Sequence, residues 1–558
     1  MSVGSASIAA ARSTGRVVDR LLDQPRTVVG TLIGFQIATT LALAFFAQHN
    51  GWVYFQGGDQ IWFTTTGWLV GQLELPPTEP GYAWPLVQAP ITWMTGPTFV
   101  NVLPPLVLLQ VLVLGPVALV CLYGIATRIG GRLLGYWAAL LWVVAPYAVI
   151  PLFVSRYHEK WVDDFLPQAV GLTAMADFPS MVLVLAAALF VVRSLSAGLF
   201  ADAALAGLFL GAAGGTKPPN YLLGAGAILA YVVVRRWREA AVFALAVVPS
   251  VLALAFWKYR GLGEIPAVAL EQVRVAASAG PLGLDVSLDR YVKLDFEHWS
   301  TQMDQLREFF WSARLAQWAP LAGLVAVLRV RRGAVAALLA GWLGAFIVVK
   351  GFSPRADIQA NTFWRLLMPA WPAYLLLFAS IPLLVPTLAR RLGERLRPPA
   401  ARPVRWRWVA LTAAVSIGVP VAATAAATRT TPTSPAVVQE FESGNILTPV
   451  DTDLRLDVRS DSRGRRLVWT TTTWRAGVFY RVYRADGPGP DTQCALSASV
   501  AWFCYLHSVP IATTRDREFV DTSPPTHATY RIGVGTNWLN DPELGDVFVF
   551  SPPVNATG

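Results

Sequence analysis

The sequence predicts a polytopic α-helical membrane protein followed by a small all-β sandwich domain. Three observations carry that prediction. Hydrophobic residues make up 54% of the 558 residues and charged residues only 14%, where a soluble domain carries about a quarter charged. The apolar residues fall in blocks close to the roughly 20 residues that cross a bilayer. Beyond residue 430 the blocks stop, and apolar and polar residues alternate with the period of a half-buried strand. The same composition excludes a disordered chain and a disulfide-dense scaffold.

Taken in order, the apolar blocks are 28–47, 102–124, 133–155, 177–198, 201–215, 219–234, 239–258, 316–329, 333–350, 364–388 and 406–426, about eleven spans. The blocks 201–215 and 219–234 are short and share a tight turn, Thr216-Lys217-Pro218-Pro219; 316–329 is short as well. Orientation follows from the basic residues between spans. Arg12, Arg16, Arg20 and Arg26 precede the first span. Alternate loops carry Arg128 and Arg132, then Arg193, then Arg235, Arg236 and Arg238, then Arg329, Arg331 and Arg332. The segment 389–405 is densely basic, while 48–101 has no Lys or Arg at all. A cytoplasmic N-terminus puts every arginine-rich loop on one side. The first span lacks a small-residue cleavage site behind it, so it is read as a retained helix and not a signal peptide. An odd number of spans then places residues 427–558 outside the cytoplasm. Only five of the 45 basic residues are lysine, a bias that suggests a GC-rich bacterial genome and a bacterial plasma membrane. The net charge of +10 follows from topology, and no nucleic-acid partner is expected.

This gives three parts: a cytoplasmic segment 1–27, a membrane domain 28–426 with long outer loops 48–101 and 259–315, and an extracytoplasmic domain 427–558. In the last, strands are predicted at Arg466–Thr470, Phe479–Arg484, Ala528–Val534 and Val547–Phe550. The stretches FYRVYRA and FVDTSPPTHATYRIGV resemble fibronectin type III modules, in which a strand ending in Tyr follows an Asp-Thr turn. Cys494 and Cys504 are close in sequence in a domain expected outside the cytoplasm, and read as a disulfide. No His stands at ligand spacing beside them. Asn555-Ala556-Thr557 matches a glycosylation sequon, read as a chance match in a bacterium.

The first outer loop reads Gly57-Gly58-Asp59-Gln60-Ile61-Trp62, then Gly71-Gln72-Leu73-Glu74-Leu75-Pro76, then Tyr82-Ala83-Trp84-Pro85-Leu86. An acid just beyond the first span, a short helix, and a Tyr/Pro-rich return to the second span resemble the GT-C superfamily of membrane glycosyltransferases. Three further stretches carry the resemblance: ADFPSMVLVLAAALF, with Asp177 at the start of a span; GLFLGAAGGTKPPNYLL, with its Thr-Lys-Pro turn; and NTFWRLLMPAWPAYLLL, with an Arg-Leu-Pro pattern leading into a late span. They run in the family's order over residues 28–390. Many members carry two adjacent acids where this chain has Asp59-Gln60, so only Asp59 carries over.

The resemblance implies transfer of a sugar from a polyprenyl phosphate carrier to a glycan or lipid acceptor outside the cytoplasm. The chemistry of the residues agrees. A hydroxyl acceptor needs a base as the sugar–phosphate bond breaks; Asp59 and Asp177 are the catalytic candidates. A lipid phosphate leaving group needs cations where charge develops; Lys217, Arg355 and Arg365 are the candidates, arginine offering a two-pronged donor. Trp62, Tyr82, Trp84 and His298 are candidates to contact the acceptor. No Gly-rich phosphate cradle for a nucleotide sugar is present. A metal requirement is not fixed by the residues, a divalent cation staying open and the lipid-linked sugar being the donor substrate. If the host is an actinobacterium, family analogy makes a pentose such as arabinofuranose, or a mannose, the transferred sugar.

Plainer roles stand beside these. Asp59 could only cap the helix after it, and Asp177 before Phe178-Pro179 is a good helix start. Lys217 could only snorkel to the interface. Asp163, Asp164 and His158 suit a solvated loop. The aromatic residues of 48–101 suit an interfacial belt. Two other functions compete with transfer. A flippase for lipid-linked glycans predicts inverted repeats and charges inside spans, and the sequence has no evident repeat and few acids there. A non-catalytic scaffold would need no acid at the head of the outer loop.

Overall fold

The computed structural model describes residues 24–46, 58–75, 81–152, 169–262, 265, 269–270, 284–285, 295–309, 314–353, 365, 367–386, 403–429, 437–439, 447–473, 478–496, 502–536 and 547–557. Arg355, Asp163, Asp164 and His158 lie outside these residues.

Every predicted apolar block carries a helix. In chain order the helices are α1 (Pro25–Phe46), α2 (Gly58–Gly71), α3 (Ala83–Thr95), α4 (Phe99–Gly130), α5 (Arg132–Leu152), α6 (Asp177–Ala197), α7 (Phe200–Thr216), α8 (Pro218–Val233), α9 (Trp237–Leu262), α10 (Phe296–Phe309), α11 (Arg314–Arg329), α12 (Gly333–Gly351), α13 (Met368–Leu384) and α14 (Trp406–Ala426). Among the described residues six helices are long and apolar enough to cross a membrane, while α7, α8 and α13 are shorter apolar helices. The termini follow local chemistry. Gly198 ends α6 in the left-handed conformation at φ 67°, open to glycine at little cost. Pro218 and Pro219 open α8, where a missing N–H costs nothing.

Small residues let the helices approach. A Cβ on Gly226 of α8 would lie 2.5 Å from the Leu338 carbonyl oxygen of α12, and one on Gly341 would lie 2.6 Å from Gly226 Cα. The two backbones therefore touch, the mode by which membrane helices gain packing without a hydrophobic drive between them. The Trp342 indole of α12, fully buried, donates to the Pro369 carbonyl at 3.0 Å, which ties α12 to the start of α13. At the arginine-rich end Arg193 pairs with buried Asp202 at 2.5 Å.

The described residues of the loop 48–101 are largely helical. Helices α2 and α3 pack on each other within it, and a short strand β1 (Glu74–Leu75) pairs in parallel with β2 (Thr428–Arg429) beyond α14. The Thr428 amide donates to Leu73 O at 2.8 Å.

The C-terminal region adds β3 (Val437–Gln439), β4 (Leu447–Pro449), β5 (Arg455–Asp461), β6 (Gly464–Thr470), β7 (Val478–Asp486), β8 (Thr492–Leu496), β9 (Trp502–Leu506), β10 (Val509–Thr514), β11 (Glu518–Asp521), β12 (His527–Thr536), β13 (Val547–Phe550) and β14 (Val554–Thr557). One sheet has the order β11-β6-β5; a second has β10-β7-β12-β13, with β14 also pairing β12. Leu467 and Trp469 of the first sheet share a buried cluster with Tyr480, Val482, Tyr530, Ile532 and Val534 of the second. The rings of Trp469 and Tyr480 meet edge-on at 5.4 Å. The Tyr530 hydroxyl donates to Asp521 at 2.7 Å. The four predicted strands are present, three of them extended by two or three residues and Val547–Phe550 with its predicted bounds. The additional hairpin β8–β9 joins β3 and β4 in a third sheet. In its register Cys494 stands opposite Cys504; their side chains lie outside the described residues.

This β region is docked on the first loop. Ile61, Phe63, Trp84 and Phe99 belong to the same buried cluster as Phe548 and Val549. Phe99 and Phe548 pack at 5.4 Å, and Thr98 donates to Asp451 at 3.1 Å.

Candidate active site

Four charged side chains from four separate elements meet at one end of the bundle. Asp59 lies in the first turn of α2, Asp177 is the first residue of α6, Lys217 caps the C-terminus of α7, and Arg365 precedes α13. Arg365 donates to Asp59 through Nη2, and Lys217 donates to Asp177 through Nζ. Arg365 Nε lies 3.7 Å from Asp177 Oδ2, too long for a hydrogen bond. Both of those atoms are buried without a hydrogen-bond partner. The guanidinium therefore bridges the two acids with one donor unused.

The two carboxylates differ. Asp177 is 1% exposed, while the Asp59 side chain is 46% exposed. Burial works against the Asp59 carboxylate, but Arg365, by charge and by its hydrogen bond, and then Lys217 outweigh that and hold its carboxyl below the ordinary 3.8. Asp59 is thus the accessible, ionised acid of the group, and Asp177 the buried one that holds the cations.

Backbone packing fixes this geometry. The segment just before Asp177 is clamped from three sides. The Gln60 side-chain oxygen Oε1 accepts from the Ala174 amide at 2.7 Å, and Trp84 Nε1 donates to the Ala174 carbonyl at 2.8 Å. Gln110 donates to Thr173 O at 2.6 Å. Gln60 is fully buried. The neighbour of one acid therefore holds the backbone that carries the other. Gly81 plays the same part for Lys217: a Cβ there would lie 2.1 Å from the Gly215 carbonyl oxygen. The return of the first loop consequently rests directly on the Gly-Gly-Thr-Lys turn.

Of the candidate site residues, Asp59, Asp177, Lys217 and Arg365 lie together. Tyr82 and Trp84 are not at an open surface. They are 1% and 2% exposed, because Tyr82 packs over Gly215 and beside Trp257 and Trp84 serves the Ala174 clamp. Neither leaves a ring face for an acceptor. Trp62 is partly buried against Leu69, its indole nitrogen without a partner. His298 lies on α10, its Nε2 3.2 Å from the Ser353 carbonyl. Trp93, 70% exposed at the end of α3, suits the interfacial belt.

One residue escaped the sequence reading. Lys350, near the end of α12, is 6% exposed and close enough to Lys217 for their charges to repel. Its signal was available: Lys217, Lys258 and Lys350 all stand at helix ends away from the arginine-rich loops. With Lys350 the group holds three cations and two carboxylates. Both acids face cations already, so the set fits an anion better than a divalent metal. Among the described residues no three His, Cys, Asp or Glu side chains stand together as metal ligands.

No family model matches the chain, and no curated protein matches it. Among solved structures it is similar to the apo crystal structure of the Archaeoglobus fulgidus oligosaccharyltransferase, at a TM-score of 0.40 and 12% sequence identity, over 73% of this chain and 56% of that one. The chain thus spans little more than half the length of that protein.

Proposed function

We propose that the protein is an extracytoplasmic glycosyltransferase that moves a sugar from a polyprenyl phosphate carrier to a hydroxyl of a cell-envelope glycan or glycolipid. The observation that carries this reading is the charge group. An accessible, ionised Asp59 is held by Arg365 beside Lys217, and Lys350 stands near Lys217. Basic side chains grouped beside a carboxylate base suit a departing phosphodiester. The group stands among apolar helices of bilayer length, where a lipid-borne donor would be held.

In the step proposed, the acceptor hydroxyl oxygen attacks the anomeric carbon from the side opposite the phosphate. The new C–O bond forms as the bond to the phosphate oxygen breaks, and that oxygen leaves with the electron pair. The proton passes to Asp59 as the attacking oxygen becomes acidic. One displacement inverts the anomeric centre. Arg365 and Lys217 stabilise the departing phosphate. An arriving phosphate competes with Asp59 for the Arg365 guanidinium, and each hydrogen bond that Asp59 loses makes it a stronger base. Asp177 positions both cations. The membrane domain is read as crossing about eleven times with a cytoplasmic N-terminus, the short helices included. The three-stranded and five-stranded C-terminal sheets are read as a fibronectin type III-like sandwich. Cys494 and Cys504 are read as a disulfide across the β8–β9 hairpin.

The test is incubation of purified protein with a panel of polyprenyl-phosphoryl sugars and a short glycan acceptor, with mass analysis of the product. Transfer by the wild type, and loss of about 10²–10⁴-fold in Asp59→Asn, is the expected result for a general base. Unchanged transfer in Asp59→Asn overturns the assignment, and lipid-linked glycan movement without any new glycosidic bond would favour a flippase.

A further inference from the structure

Helix α10 has no task in the reaction above, yet it is seated against the Lys350 end of α12. The Trp299 indole lies on Gly351: a Cβ there would be 2.5 Å from Trp299 Cδ1 and 2.6 Å from Nε1. Glycine at 351 is what allows the ring to meet the backbone one residue beyond Lys350. Phe352 holds it there, stacked on Trp299 at 5.9 Å and met edge-on by Phe296 at 5.2 Å.

Three polar atoms along this helix are buried without a partner: Trp299 Nε1, Gln302 Oε1 and Gln305 Oε1. Gln302 as a residue is only 4% exposed. The spacing of 299, 302 and 305 keeps them on neighbouring turns of one side. A buried polar group without a partner forfeits its hydration with nothing in return, so such a row is unfavourable unless a ligand completes it. The set is one donor and two acceptors beside a flat aromatic surface. Sugar hydroxyls both donate and accept, and the C–H face of a sugar ring packs on an indole. Lys350, 6% exposed, lies one residue before Gly351 and near Lys217, which Asp177 already pairs, so Lys350 is the cation of the group closest to this row.

We infer that α10 and the end of α12 form the subsite for the sugar of the lipid-linked donor, with Trp299 and Gln302 bonding ring hydroxyls and Lys350 facing the phosphate. The inference rests on the donor class proposed above. It adds the residues that tell a sugar-bearing lipid phosphate from a bare one.

The experiment measures binding of farnesyl-phosphoryl mannose, farnesyl-phosphoryl arabinofuranose and farnesyl phosphate to the full-length protein in nanodiscs. Variants are Trp299→Phe, which keeps the ring packing and removes the N–H, Gln302→Met, and Lys350→Met. The wild type is expected to bind one sugar-bearing probe about ten-fold more tightly than farnesyl phosphate. Trp299→Phe and Gln302→Met should abolish that preference and leave farnesyl phosphate binding unchanged, while Lys350→Met weakens all three probes. A preference that survives both α10 variants overturns the subsite and leaves the donor class standing, as does a wild type that binds all three equally. A wild type that binds none of them overturns the donor class and the subsite with it.

Discussion

Replacement of Gln60 by methionine tests the link between the two acids. Methionine nearly matches the length and volume of glutamine but cannot accept a hydrogen bond. The Ala174 amide, now served by Gln60 at 2.7 Å in a fully buried position, would be left unpaired. An orphaned buried N–H costs about 1–3 kcal/mol. At 1.4 kcal/mol per factor of ten, opening of the segment before Asp177 should become roughly 10–100-fold more frequent. Hydrogen exchange read by mass spectrometry on peptides covering 169–176 measures this directly. Protection there should fall by that factor, while peptides from α12 and the β region keep theirs. Transfer should fall too, since Asp177 would no longer be held in register with Asp59. Gln60→Glu, whose carboxylate can still accept from the amide, should retain most of the protection. Unchanged exchange over 169–176 in Gln60→Met would refute the claim that Gln60 couples the acids.

Removal of the Arg365 charge, in Arg365→Met, should raise the pH at which residual transfer is lost on the acid side. The sign follows from the pair: Arg365 holds the Asp59 carboxyl below 3.8, so the base stays ionised to lower pH in the wild type than in the variant. A pH–rate profile whose acid limb does not move speaks against the pairing. Gly81→Ala should lower the melting temperature of the protein in detergent, since overpacking of this kind costs about 1–3 kcal/mol where a Cβ would lie 2.1 Å from a backbone oxygen; an unshifted melting curve contradicts the close approach. Intact mass without reductant should be about 2 Da below the value with reductant if Cys494 and Cys504 are joined in an oxidising compartment, and equal masses dismiss the bridge.

The β region is less separable than the change in composition at residue 430 suggests. Phe548 and Val549 complete the core around Ile61 and Phe63 on α2, the helix that begins with Asp59. The strand pair β1–β2 ties that loop to the exit of α14 as well. A domain that the sequence presents as an appendage thus forms one wall of the scaffold beneath the candidate site.

Much of this architecture is written locally. Block length and the rise of a helix make eleven helical segments legible, and the alternation in FYRVYRA and ATYRIGV makes strands legible, because each depends on neighbours within a few residues. Asp59, Asp177, Lys217 and Arg365 became candidates through the family resemblance of the stretches that carry them and through their places at helix ends. Their meeting was not legible: they are spread across more than 300 residues, and a polar group at a helix end has no periodicity to show which other end it faces. The burial of Tyr82 and Trp84, the clamp of Gln60 on Ala174, and the place of Lys350 were likewise decided by packing. Sequence chose which charges the chain would afford at the ends of its helices; the crossing of those helices chose which of them share a site.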